Sequence, residues 1–163
     1  MKTVSYSFFY RYRYLMLALL AMVGCAVSAY ALWVKPQIPE CRAVVWVADQ
    51  MGGEAMRRAL LISVVPNGAR RANVIINGSF FVGDARYNID RVVMANYRRK
   101  GDNYTLTIAA NIKRPQDSLA SPELNRRLPM AGLQYHLRIE RIDSRHFLFV
   151  SNAKPLFVCT VAS

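Results

Sequence analysis

The sequence predicts a mainly β protein (β-rich α+β): an N-terminal transmembrane helix, then an antiparallel curled sheet or small barrel with one short helix. Three observations support this class. Leu15–Val34 contains no charged residue. After it, apolar and polar residues alternate in several segments separated by turn residues, which is typical of strands with one buried face. Residues typical of a helix start occur at the beginning of one short stretch, Ser121–Pro129.

The apolar run Leu15–Val34 is long enough to cross a bilayer. As a helix rising about 1.5 Å per residue, it would span roughly 30 Å, the thickness of the hydrocarbon core. Tyrosines precede the run, and Tyr30 and Trp33 lie near its end, where interfacial aromatic residues are common. Lys35-Pro36 then ends the span. We therefore predict an uncleaved membrane anchor.

Two cleaved forms are the alternatives to an anchor. Ala29-Tyr30-Ala31 resembles a signal-peptidase site, but the apolar run continues through Val34. Gly24-Cys25 resembles a lipoprotein site in which Cys25 would be acylated. However, Met22 is unfavourable three residues before that cysteine, and apolar residues follow it. In the anchor, Cys25 is a small apolar residue inside the membrane helix.

The flanking charges predict the orientation of the anchor. Residues 1–14 carry Lys2, Arg11 and Arg13 and no acid, so the positive-inside rule makes them a cytoplasmic tail. Residues 15–34 then form the span, and residues 35–163 form a domain on the far side of the membrane.

The exported domain is basic, since residues 35–163 contribute +9 of the net charge of +12. This charge would suit an anionic lipid surface or an acidic partner. A direct nucleic-acid role is discounted, because the domain lies across the membrane from the nucleic acid. The arginines include four adjacent pairs: Arg57-Arg58, Arg70-Arg71, Arg98-Arg99 and Arg126-Arg127. Adjacent side chains of a strand point to opposite faces, so we place these pairs mainly at solvated edges and turns.

Cys41 and Cys159 are the two cysteines outside the span, one near each end of the exported domain. In an oxidising compartment, such a pair predicts a disulfide that joins the first and last strands. The alternative is two buried free thiols. Neither cysteine has a second Cys or a His at metal-ligand spacing, so we expect no metal site.

The exported domain should contain seven or eight strands. They are predicted at 41–48, 56–65, 71–83, 87–99, 103–112, 133–139, 146–150 and 155–161. The strand at 71–83 should bend at Asn77-Gly78, as a tight hairpin or a bulge. Asn103–Ile112 should bury one face, consisting of Tyr104, Leu106, Ile108, Ala110 and Ile112.

One short helix should interrupt the strands. Ser121 is suited to the N-cap, Pro122 to the first helical position and Glu123 to the first turn, and Pro129 would end the helix.

The sequence indicates no catalytic centre. If Asp143-Ser144 centres a hairpin, His136 lies opposite a residue near Val150 or Ser151 rather than opposite His146, so the histidines do not converge.

Other catalytic motifs are missing from the sequence as well. Asn77-Gly78-Ser79 lacks the second glycine and the following helix of a nucleophile elbow. Asp84, Asp90 and Asp102 lie near turns, where aspartate is common without catalysis. We expect no enzyme, no cofactor, and no catalytic, cofactor-binding or metal-binding residue.

A barrel interior could hold a small hydrophobic ligand, since barrels of about eight strands have room for one. Tyr87, Tyr97 and Tyr104 are candidate lining residues. The alternative is that these tyrosines form an aromatic core or a surface ladder.

The chain resembles the FidL-like bacterial membrane proteins. The likeness covers nearly the whole chain. It rests on Cys41 shortly after the span, on YNIDRVVMANYRRKGDNYTLTI and on the closing HFLFVSNAKPLFVC. It implies a cytoplasmic tail, one inner-membrane span and a periplasmic domain. Such proteins are typically encoded beside ToxR- or CadC-type regulators, which carry a cytoplasmic winged-helix domain that binds DNA.

From this resemblance we expect an accessory protein of the inner membrane. Its periplasmic domain would bind a membrane-bound winged-helix transcription regulator and stabilise or modulate it. The alternative is a periplasmic barrel that senses a small hydrophobic ligand itself. The resemblance transfers no functional residue beyond the cysteine pair Cys41 and Cys159.

Overall fold

The computed structural model describes residues 4–33, 38–51 and 54–161. The chain forms two compact units, residues 1–35 and residues 36–163, which are described separately. The break predicted at Gly52-Gly53 and the residues Lys35-Pro36 lie outside the described residues.

The first unit is the helix α1, Val4–Trp33. Its segment Tyr12–Ala31 is long and apolar enough to cross a membrane, in agreement with the predicted span. The helix also includes most of the predicted tail, because it begins at Val4. Cys25 is an exposed free thiol on this helix.

The second unit is a closed antiparallel barrel of eight strands, which confirms the mainly β class. Each strand pairs with the next along the chain, and β1 pairs with β8 through Arg42 opposite Thr160. One short helix, α2, lies between β5 and β6 and spans Pro122–Asn125. The strands are β1 Cys41–Met51, β2 Glu54–Pro66, β3 Arg71–Val82, β4 Ala85–Lys100, β5 Asn103–Lys113, β6 Gln134–Arg141, β7 His146–Ser151 and β8 Lys154–Thr160.

Tight turns join several of these strands. The predicted β4–β5 hairpin is confirmed: Lys100 lies opposite Asn103, and Gly101 in the turn has φ +62°. The β7–β8 turn has positive φ at both Asn152 and Ala153, 47° and 60°. That pattern is typical of a type I′ turn, whose twist matches the twist of antiparallel strands.

The bend predicted at Asn77-Gly78 is wrong, because β3 keeps an unbroken register against both β2 and β4. Gly78 has another role. A Cβ at this position would lie 2.0 Å from the carbonyl oxygen of Ala59 on β2. Its φ of +154° is also unfavourable for residues with a side chain. Glycine therefore allows the two backbones to approach closely.

The predicted buried face of β5 is correct for its first half only. Its buried members are Tyr104, Leu106 and Ile108. The register then shifts between Met94 and Ala95 of β4, so that Ala109 has no direct partner. Such a bulge moves the following side chains to the other face. Ile112, predicted to be buried, is 48% exposed.

Helix α2 is confirmed as a short helix of a single turn, Pro122–Asn125. Ser121 occupies the N-cap position, but its hydroxyl makes no capping hydrogen bond. Instead, the side-chain amide of Asn125 donates to the carbonyl oxygen of Ser121 at 2.8 Å. Leu124 anchors the helix, because its side chain is buried.

Cys41 and Cys159 form a disulfide that links β1 to β8, as predicted from their positions. The two residues are 118 positions apart, and both are buried. The bond lies beside the Arg42–Thr160 pair, where the last strand meets the first. It therefore reinforces the seam that closes the barrel.

Removal of the disulfide should destabilise the barrel strongly. For a loop of this length, the chain-entropy model gives a loss of about 4–5 kcal/mol in the free energy of unfolding. Urea unfolding of the full chain in lipid nanodiscs would measure the effect in a Cys41→Ala/Cys159→Ala variant. Cys25→Ala is the matched control and should leave the unfolding midpoint unchanged. Equal midpoints for the double variant and the control would contradict the prediction.

Candidate functional site: the barrel cavity

The interior of the barrel holds an apolar cavity of about 330 Å³ that is partly open to solvent. Side chains on the inward faces of the strands form its wall. Successive residues of a strand point to opposite faces, so the apolar positions of each alternating segment meet inside. Representative lining residues are Val45, Ile62, Val74, Ile76, Val93 and Ile108.

The tyrosines proposed from the sequence are not part of this lining. Tyr97 and Tyr104 are buried and lie against each other, with ring centroids 6.0 Å apart. Burial raises the pKa of the Tyr104 hydroxyl. Tyr87 packs partly buried against the core. The alternative of an aromatic core therefore applies, and the tyrosine that lines the cavity is Tyr135, which the sequence did not single out.

The connection between β5 and β6, residues 114–133, contributes to the cavity wall, and we call it the plug segment. Its side chains Leu119, Leu124 and Leu128 belong to the buried core. Leu128 and Pro129 also line the cavity. The plug segment thus adds to an interior that the strands alone would leave incomplete.

A buried ion pair fixes the plug segment to the barrel wall. Arg91 lies on β4 in phase with the buried residues Ile89 and Val93, and it is only 6% exposed. Its Nε donates to Oδ2 of Asp117 at 2.7 Å. Its second guanidinium nitrogen, Nη2, donates to Oδ1 of Asn125 in α2 at 2.5 Å. The network therefore holds both the start of the plug segment and its helix.

Asp117 is ionised within this network. Burial alone would raise the pKa of its carboxyl. The hydrogen bond from Arg91 and the backbone N–H groups of Leu119 and Asp90 outweigh burial, so the pKa lies below its usual value. This pair was not predicted from the sequence. The available indication was an arginine at a position where the alternation calls for an apolar residue.

Two further arginines line the cavity, Arg58 from β2 and Arg127 from the plug segment. The expectation of solvated edges and turns is wrong for Arg58, because it lies in phase with the buried residues Met56 and Leu60. Its neighbour Arg57 is exposed, as expected. Arg127 is more exposed than Arg58, and its Nη1 donates to Oδ2 of Asp49 at 3.0 Å.

The partly buried guanidinium of Arg58 has an unsatisfied hydrogen-bond donor. Its Nε is buried and has no hydrogen-bond partner among the residues that the structure describes. Its Cζ lies 5.9 Å from the ring centroid of Phe80, so the guanidinium packs against an aromatic ring. Burial, and then the positive charge of Arg127, lower the pKa of the Arg58 guanidinium.

The two histidines have different partners. His136 Nδ1 lies 3.3 Å from Oγ1 of Thr105, and His146 Nδ1 lies 2.8 Å from Oδ2 of Asp143. Hydrogen bonds from the N–H of Arg145 and from His146 lower the pKa of Asp143 to about 2.

His136 lies near Ser151 rather than opposite His146, as predicted, and the Ser151 hydroxyl donates to the carbonyl oxygen of His136 at 3.1 Å. Leu137 pairs with Ser151 and Arg138 with Val150, so His136 lies one position beyond the last pair of the β6–β7 ladder. Within the described ranges, no group of three or more His, Cys, Asp or Glu side chains is placed to hold a metal ion.

Comparison with protein-family models and with curated proteins gives no match. The resemblance to FidL-like proteins therefore stays a prediction. The geometry of the cavity, its arginines and the plug segment is the basis for a functional proposal.

Replacement of Asp117 by Asn should destabilise the barrel by about 3–5 kcal/mol at neutral pH, because Arg91 would keep a buried charge without a carboxylate partner. Since the folded pKa of Asp117 is lowered, its stabilising effect is present above its unfolded pKa of about 3.9. The effect is lost as the pH falls through the folded value. The difference in the free energy of unfolding between wild type and Asp117→Asn should therefore be smaller in acid than at neutral pH.

Urea unfolding at pH 7 and at pH 3 would measure this difference. Asp84→Asn, at an exposed turn position, is the control and should behave as wild type at both pH values. A difference for Asp117→Asn that is equally large at both pH values would contradict the assignment.

Proposed function

We propose that this protein is a membrane-anchored β-barrel that binds a small hydrophobic ligand in its interior. The observation that carries the proposal is the apolar cavity of about 330 Å³ inside the closed barrel. Packed protein interiors contain few voids larger than a water molecule. At about 30 Å³ each, this cavity has room for roughly ten water-sized groups.

The composition of the lining supports the same proposal. Small-molecule sites are mostly apolar, with a few polar groups that orient the ligand. Here aliphatic side chains dominate, and Arg58, Arg127 and Tyr135 supply polar atoms. A barrel filled by its own side chains would offer no such space. Binding rather than catalysis is the function that this arrangement supports.

We also propose a location for the barrel. The apolar segment Tyr12–Ala31 of α1 would anchor the protein in the bacterial inner membrane. The basic residues 1–14 would stay in the cytoplasm, and the barrel would lie in the periplasm. The Cys41–Cys159 disulfide supports this side of the membrane, because disulfides persist in oxidising compartments. The anchor would keep the barrel beside the bilayer, into which hydrophobic ligands partition.

A second candidate function is supported by the outer surface of the barrel. Apolar side chains are exposed on the adjacent strands β8, β1 and β2, and Val44 of β1 lies directly opposite Leu61 of β2. Trp46 is 77% exposed and Val44 is 64% exposed. We call this surface the outer patch, and it consists of Val44, Trp46, Leu61 and Val158.

Exposed apolar patches commonly mark protein interfaces. We propose that the outer patch contacts the periplasmic domain of a membrane-bound winged-helix regulator of the ToxR or CadC type. The resemblance to FidL-like proteins suggests this partner. A partner in the same membrane would be met at high effective concentration. Modulation would require that the barrel binds one state of the regulator more tightly than another.

The ligand proposal predicts labelling of the cavity by decan-1-ol that carries a diazirine in its alkyl chain. The full chain in phosphatidylcholine nanodiscs would be irradiated, and mass spectrometry would locate the label on inward residues such as Val45 and Ile76. Ala72→Phe fills the cavity, because Ala72 is buried and lines it. This change should reduce labelling by about tenfold or more, equivalent to at least about 1.4 kcal/mol of binding free energy.

Ala48→Phe is the matched control, since Ala48 is exposed on β1. It should leave the labelling unchanged. Circular dichroism would confirm that both variants keep their strand content. Labelling confined to α1, or equal in Ala72→Phe and wild type, would contradict a ligand-binding cavity.

The partner proposal predicts that Trp46→Thr weakens co-purification with a coexpressed regulator of this type encoded beside the protein. Loss of a large exposed aromatic anchor at an interface typically costs 2 kcal/mol or more, so we expect a fall of about tenfold or greater. Ile112→Thr is the control, because Ile112 is an exposed apolar residue on β5. Undiminished co-purification with Trp46→Thr would exclude the outer patch as the interface.

A further inference from the structure

The two arginines of the cavity indicate the chemical class of its ligand. We infer that the ligand is a single-chain amphiphile with one anionic head group, of the carboxylate type, which Arg58 and Arg127 bind while the hydrocarbon chain fills the barrel. This inference rests on the proposed function and adds the head group to it.

Arg58 has a hydrogen-bond donor without a partner. Its Nε is buried and lacks a hydrogen-bond partner among the described residues. Native structures pair nearly all buried polar atoms, and an unpaired buried cation is especially unfavourable. Arginine is suited to carboxylates, because its planar group presents parallel N–H donors to the two oxygens. A carboxylate bound in the cavity would supply the missing acceptor after a small shift of the Arg58 side chain, which exposes the Nε to the cavity.

Arg58 lies between apolar residues in the wall of the barrel. The register places it opposite Val47 of β1 and opposite Phe80 of β3, both on inward faces. Phe80 is fully buried, and its ring lies 5.9 Å from the Arg58 Cζ. The arginine is therefore held by apolar neighbours on both sides. It is one of the few polar groups in a mostly apolar lining, as expected for a group that orients a ligand.

The charges around the two arginines do not balance. Arg127 is paired with Asp49 at 3.0 Å. Two positive charges and one negative charge leave one positive charge without a counter-ion. The positive charge of Arg127 lowers the pKa of Arg58, and the negative charge of Asp49 raises it by less. One further negative charge would complete the pairing, which favours a monoanion over a neutral or dianionic head group.

The exposure of the lining residues indicates the shape of the ligand. The Arg127 side chain is 34% exposed, whereas Ile76 and Val93, which also line the cavity, are buried. A charged group near the exposed arginine and an apolar chain beyond it match an amphiphile. The volume has room for about ten groups at about 30 Å³ each. This is the size of a single medium-length chain.

Competition against the diazirine alcohol tests the inference. Decanoate and decan-1-ol would be added separately to the full chain in phosphatidylcholine nanodiscs, and the half-inhibiting concentration of each would be measured. In wild type, decanoate should compete about tenfold more strongly than decan-1-ol, as charge-assisted hydrogen bonds exceed neutral ones. In Arg58→Met this preference should disappear.

Arg57→Met is the matched control, because Arg57 is the adjacent arginine and is exposed. It should keep the preference of wild type. Asp49→Asn should change the preference in the opposite direction, which a misfolded variant would not do. Without its carboxylate partner, Arg127 is free to bind the head group, so the preference for decanoate should increase.

The outcomes separate the two proposals. If neither compound competes, the cavity is not a ligand site and the proposed function fails. If both compete equally in wild type, or if Arg58→Met keeps the preference of wild type, the ligand site stands and its anionic specificity is refuted.

Discussion

Closure of the barrel is the constraint on which the other features depend. The strands β1 and β8 meet at the Arg42–Thr160 pair, beside the Cys41–Cys159 disulfide. If that seam opened, both strands would present unpaired backbone groups as sheet edges. The inward apolar faces would then form an open trough rather than a cavity. The separation of an apolar interior from solvent thus depends on a bond between the two ends of the domain.

Two inward-facing arginines of the barrel differ in how hydrogen-bond partners compensate their charge. Arg91 and Arg58 both occupy inward positions where the alternation calls for apolar residues. Arg91 is fully matched by Asp117 and Asn125, which makes it a structural connection between the barrel wall and the plug segment. Arg58 lacks such a match at Nε. Local rules are most often broken at functional sites, and Arg58 is the stronger candidate for this reason.

The sequence predicted the elements of the fold better than their interactions. Alternation and turn residues are local properties, so the mainly β class, the short helix and the β4–β5 hairpin could be predicted. A period of two fixes the faces of a strand only until a bulge intervenes, as Ala109 and Ile112 demonstrate. The need for glycine at position 78 could not be predicted from the neighbouring sequence, because the backbone of Ala59 on another strand leaves no room for a side chain there.

The site was less predictable than the fold. The cavity depends on the summed volumes of side chains from most of the strands, and the partnership of Arg91 with Asp117 spans 26 positions. Neither property is encoded in any single segment. The sequence could indicate that a barrel of this size has room for a ligand, but it could not locate the arginines at the cavity.

The three strands that carry the outer patch, β8, β1 and β2, also line the cavity. On β1, Val45 and Val47 line the cavity, and Trp46 between them is exposed on the outside. A ligand and a protein partner would therefore contact opposite faces of the same short segment. Cores are densely packed and transmit small displacements. Coupling between the two would still require that the partner distinguishes the occupied barrel from the empty one, since a partner with equal affinity for both would transmit nothing.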